Sequence, residues 1–127
     1  MPKETIQVPD ASKPIGPYSQ AVRCGNLLFV SGQIPVDPKT GSVNYSGIET
    51  QTRRILDNLK IVLEASGSSL EKVLKTTVFL KDMNNFKFMN IVYGQYFTSN
   101  YPARSTIGVA SLPKNVDVEI EAIATID

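Results

Sequence analysis

The sequence predicts an α+β fold in which two helices cover one face of a β-sheet, and three observations point to it. The C-terminal segment alternates, with Val118, Ile120, Ala122, Ala124 and Ile126 interleaved with Asp117, Glu119, Glu121, Ile123 and Thr125, the period of a strand buried on one side. Two central segments instead carry apolar residues at helical spacing. Strand-like runs precede, separate and follow those two segments, so the expected order is several strands, helix, strand, helix, two strands.

Ser19–Cys24 and Leu27–Ser31 read as strands joined through Gly25-Asn26, a two-residue connection that tolerates positive φ. The first helix is marked by Ile48, Ile55, Leu56, Leu59, Val62 and Leu63, with Ser46 and Glu49 as a capping box and Gly67 as the C-terminal glycine. Val73–Leu80 is β-branched and aromatic enough for a strand, with Val73 and Phe79 expected on one face and Leu74, Val78 and Leu80 on the other. The second helix is expected from about Asn84 to Phe97, on a stripe of Phe86, Met89, Val92, Tyr93, Tyr96 and Phe97 behind the caps Asp82 and Asn84. Arg104–Ala110 and Val116–Ile126 then form a closing pair of strands around Leu112-Pro113-Lys114-Asn115. Two helices can cover one face of this sheet, and the apolar residues left on the other imply a partner, most economically identical subunits.

Composition narrows the function. The 127 residues, 42% of them apolar, suit one domain over 1–127 with a core that needs neither disulfide nor metal. Thirteen basic and twelve acidic residues leave a net charge of +1 with no basic run, so no nucleic-acid partner is expected. No apolar run approaches the length of a membrane span, so no membrane partner is expected either. Cys24, the only cysteine, reads as a small buried hydrophobe in a reducing compartment. The opening Met1-Pro2-Lys3-Glu4-Thr5 has neither a secretory nor a transit-peptide character. Cytoplasm is the expected location, and a processed mitochondrial form would read the same way. Histidine is absent, which removes the usual zinc ligand and the usual base, so no metal site is expected and chemistry falls to carboxylate, guanidinium, hydroxyl and backbone groups.

Arg104 stands at the mouth of a strand behind Pro102. It reads either as a surface ion-pair partner or as a fork that grips a carboxylate through two parallel hydrogen bonds. Glu119 projects from the non-core face of the last strand, beside Glu121, as a solvated residue or as one desolvated by assembly to position water or move a proton. Tyr18 can stack on a ligand or donate to it, Gly32 can let backbone approach a small substrate, and Ser31 lies beside it. Asn90 sits on the shoulder of the second helix's apolar stripe.

These residues fall within ordered motifs: GPYSQA at 16–21, FVSGQIPVDPKTG at 29–41, the NxxYxxYF pattern at 90–97, PARST at 102–106 and VEIEAIA at 118–124. Together, from Gly16 to the end, they resemble the RidA/YjgF family of reactive-intermediate deaminases. That resemblance implies a chorismate-mutase-like α+β subunit, a mixed six-stranded sheet with two helices on one face, assembled as a homotrimer with sites in the clefts between subunits. It implies hydrolysis of 2-imino or 2-enamino acids to 2-oxo acids and ammonia, protecting metabolic enzymes, with no cofactor. Position by position, it implies that Arg104 binds the substrate carboxylate, that Glu119 is the acidic residue near the water, and that Tyr18, Ser31, Gly32 and Asn90 form or support the cleft. Thr106 departs from a pattern in which cysteine is common there. Thiol chemistry is therefore excluded at that position, although its hydroxyl can still bind substrate. The reading from another class is a non-catalytic trimeric module that binds small carboxylates in the same clefts.

Overall fold

The computed structural model describes residues 2–127. Its strands are β1 (Lys3–Ile6), β2 (Ala21–Cys24), β3 (Leu27–Gln33), β4 (Val73–Leu80), β5 (Ala103–Gly108) and β6 (Val118–Thr125), and its helices are α1 (Ile48–Ala65) and α2 (Phe86–Tyr96). The six strands make one sheet in the order β1-β2-β3-β6-β4-β5. All neighbours are antiparallel except β4 and β5, which are parallel, with α2 as the crossover such a pair requires. The fold is therefore the expected α+β arrangement of a mixed six-stranded sheet and two helices.

Three local details depart from expectation. The closing strands do not pair with each other: β6 inserts between β3 and β4, and β5 becomes an edge. Alternation identifies a strand but not its neighbour, and the most apolar strand takes the central slot, where it is paired on both sides. The second departure is in β4, whose ladder to β6 shifts between Val73 and Lys75. That irregularity turns Val73 into the core at 6% exposure and Leu74 outward at 48%, the reverse of the expected faces, because one residue of slip exchanges the two sides. Third, the Ser46/Glu49 capping box does not form. Gly47 occupies the N-cap at φ 103°, with no side-chain cap, while Ser46 gives its N–H to Asn44 Oδ1.

Other local signals behave as expected. Gly25, at φ 61°, turns the β2–β3 hairpin. Gly67, at φ 84°, ends α1 in a Schellman motif, with its own N–H on Glu64 O and the N–H of Ser68 on Leu63 O. Asp82 caps the 3₁₀ turn before α2 by accepting from the Asn84 N–H; Asn84 itself does not act as a cap. β1 carried no sequence signal, being short and mostly exposed.

The core lies between the sheet and the helices, where Ile55, Leu56, Leu59, Val62 and Leu63 of α1 meet Leu28, Val78, Leu80, Val118 and Ile120. The opposite face stays open. Register puts Phe29 beside Ile123 and Phe79 beside both Glu119 and Ile107 on that side, and Leu27, Phe29, Leu74 and Ile107 are exposed there.

Candidate functional site

The β3–β6 ladder breaks between Val30 and Gln33, where three steps on β3 match two on β6. The bulge re-aims Ser31 and Gly32. Ser31 gives its N–H to Gln20 O at 3.0 Å and its hydroxyl to Ser19 O at 2.6 Å, which fastens the bulge to the segment carrying Tyr18. Gly32 lies directly beneath a carboxylate, since a Cβ built there would stand 2.0 Å from Glu119 Oε2 and 2.9 Å from its Cδ. With the carboxylate in this position there is no room for a Cβ at residue 32.

Glu119 is half-buried. Desolvation raises its pKa above the ordinary carboxylate value, and the charge of Glu121 raises it further. The two carboxylates share a face, but Glu121 is exposed, and Glu119 alone lines the cavity of about 320 Å³ that also touches Ile15, Tyr18, Ser31, Gly32, Ile34 and Pro113. A groove of about 410 Å³ shares the first five of those walls and continues toward Lys13, Asp37 and Lys114. Tyr18 is half exposed, and its hydroxyl accepts from the Ile15 N–H at 3.4 Å.

A second group forms on the other side of the sheet. Arg104 pairs in register with Thr76, and Thr106 with Val78, which turns both toward the helix layer. The Arg104 guanidinium lies 4.7 Å from the Tyr93 ring centroid and 5.5 Å from that of Phe86, within cation–π range of both. No carboxylate among the described residues pairs with it. Tyr93 is fixed by a 2.8 Å hydrogen bond between its hydroxyl and that of Thr76. Burial raises the Tyr93 pKa, opposed by the Thr76 hydrogen bond and by the charge of Arg104. Asn90 lies four residues after Phe86 and three before Tyr93 on α2, hence on the same helix stripe as the aromatic shelf.

The seven candidate residues therefore form two groups: Tyr18, Ser31, Gly32 and Glu119 on the open face, and Asn90, Arg104 and Thr106 at the β5 edge on the helix side. One copy of the chain does not bring Arg104 and Glu119 together, because odd and even positions of paired strands point to opposite faces. Gln20 is a further member that residue-by-residue reading missed. It is buried, and its amide accepts from the Val8 N–H and donates to Val8 O and Ser12 O, holding the N-terminal segment against the groove. The signal available was a glutamine at the head of a strand, where a side-chain amide can organise a loop. Among the described residues no three His, Cys, Asp or Glu side chains are placed to hold a metal, and no helix is long and apolar enough to cross a membrane.

Comparison with known proteins agrees with this architecture. The family model described as endoribonuclease L-PSP matches residues 8–126. A RutC family protein of Pyrococcus horikoshii is 57% identical over 122 residues, covering 96% of this chain and 97% of its own. The 2-iminobutanoate/2-iminopropanoate deaminase of Escherichia coli is 48% identical over 124 residues, covering 95% of this chain and 96% of its own. The crystal structure of E. coli TdcF with bound serine superposes with a TM-score of 0.91 at 44% identity, covering 96% of this chain and 98% of the other. The chain belongs to the endoribonuclease L-PSP family, the family of the RidA and YjgF proteins.

Proposed function

We propose that the protein hydrolyses short 2-imino or 2-enamino acids to 2-oxo acids and ammonia, in clefts that join the Arg104 group of one copy to the Glu119 group of the next in a homotrimer. The observation that carries this reading is the Arg104 guanidinium, which rests on two aromatic rings with no carboxylate partner among the described residues. Its planar fork suits the carboxylate of a small acid. The apolar walls Ile15, Ile34 and Pro113 around Glu119 suit a short aliphatic side chain and limit water near the carboxylate.

In the proposed reaction the substrate carboxylate docks on Arg104, with Thr106, Asn90 and backbone groups around 104–106 completing its surroundings. Glu119 accepts a proton from water as the oxygen adds to the imine carbon, and passes a proton to the nitrogen. The hydroxyl proton of the tetrahedral adduct then passes through Glu119 to the nitrogen as the C–N bond breaks, releasing ammonia and leaving the 2-oxo acid. A carboxylate whose pKa lies above the ordinary value takes a proton from water more readily than a solvated one. The E. coli deaminase relative supports the chemistry, and the serine-bound TdcF structure supports recognition of small amino-acid-like molecules.

That serine complex also favours a second reading, a carboxylate-binding module without turnover. Ammonia release from freshly generated 2-iminobutanoate separates the two, with 2-oxobutanoate binding as the control. Release faster than the uncatalysed rate supports the deaminase. Binding of 2-oxobutanoate with no acceleration supports the module.

A further inference from the structure

Residues 112–116 lead into β6 and supply Pro113 to the wall around Glu119 and Lys114 to the adjoining groove. Two consecutive non-glycine residues there, Lys114 and Asn115, take left-handed backbone with φ 57° each. L-residues adopt this conformation singly and at a cost, and it persists only where the surroundings over-determine it. Here three outside groups fasten residues 114–117. The Tyr45 hydroxyl donates to Lys114 O at 2.7 Å, and the Lys81 ammonium donates to Asn115 Oδ1. The third is Gln51, in the first turn of α1, which directs its amide to Asp117. Its Nε2 donates to Asp117 Oδ2 at 2.8 Å, and its Oε1 accepts from the Asp117 N–H at 2.9 Å. Asp117 O in turn accepts from the Lys81 N–H at 3.0 Å.

Gln51 is 0% exposed, on the layer opposite the open face. Packing alone would be served by an apolar side chain of similar length, since a buried amide must be fully bonded to be tolerated. Both hydrogen bonds of this amide go to one residue, two positions before Glu119. We propose that Gln51 is a positioning residue for Glu119: through Asp117 it fixes where β6 begins, and with it the height of the Glu119 carboxylate over Gly32 and the position of the Pro113 wall. The inference deepens the deaminase reading and rests on that reading for its kinetic readout alone.

Gln51→Glu keeps the shape but sets an oxygen against Asp117 Oδ2, and combining it with Asp117→Asn restores a donor facing an acceptor with the polarity reversed. Two quantities are read: the carbon-13 NMR titration of the Glu119 carboxyl, and kcat against KM for 2-iminobutanoate. Gln51→Glu is expected to move the titration toward that of an ordinary glutamate and to lower kcat about tenfold with little change in KM, and the double variant to recover both. Gln51→Met removes the clamp without adding charge and gives the same readouts if the first variant does not fold. A folded single variant with unchanged titration and kcat, or a double variant no better than the single, overturns the proposal. If the wild-type protein releases no ammonia above background, the deaminase reading has failed, and the titration still decides the positioning role.

Discussion

Replacing Arg104 by lysine keeps a cation beside Tyr93 and Phe86 but removes the planar fork, so kcat/KM for 2-iminobutanoate should fall by about a hundredfold or more with the melting temperature nearly unchanged. Near-normal turnover would remove the role given to Arg104. Gly32→Ala acts on the other group. The added methyl meets only the Glu119 side chain and no backbone, so the protein should fold while the carboxylate is pushed aside, with turnover down on the order of a hundredfold. Glu119→Gln should slow turnover more than Glu121→Gln, and the reverse order would identify the wrong carboxylate.

The raised pKa of Glu119 also sets a sign for stability. In the window between the ordinary carboxylate value and the raised one, the folded state holds more proton than the unfolded state, so stability declines as pH rises through it. Relative to wild type, Glu119→Gln should therefore melt higher at pH 7 than it does at pH 4, as calorimetry would read. Candidates for a site were legible in the motifs, because glycine at 32 and arginine at 104 can do what few other residues can. Their division into two groups was not, because which face of the sheet a residue meets depends on strand neighbours and bulges set by distant sequence.

At the scale of elements, the periodic signals were the legible ones. The alternation in β6, the apolar stripe of α1 and the glycines at 25 and 67 all stand where local physics places them. What escaped the reading was non-local: the insertion of β6 between β3 and β4, and the bulge that exchanges Val73 and Leu74. The capping box failed because Gly47, at φ 103°, enters α1 in a conformation that displaces Ser46 from the cap. Two variants test these elements by thermal unfolding. Gly67→Ala forces a side chain into left-handed backbone at the end of α1 and should cost about 1 kcal/mol. Tyr93→Phe removes the hydroxyl that meets Thr76 and should cost about 1 kcal/mol. It also loosens the shelf under Arg104, so turnover should fall with it.

At the scale of the whole molecule, the open face and the split site have one solution in common. In the proposed homotrimer, a second copy covers Phe29, Ile107 and Ile123 and brings its Glu119 cavity to the first copy's Arg104, so that burial of apolar surface and completion of the cleft are the same event. The most direct test mixes two inactive proteins, Arg104→Lys and Glu119→Gln, by unfolding and refolding them together. If each cleft takes Arg104 from one chain and Glu119 from its neighbour, hybrid trimers regain one intact cleft each, and random mixing returns about a quarter of wild-type ammonia release. If the mixture is no more active than its parents while mass spectrometry shows hybrid trimers, the shared cleft is contradicted.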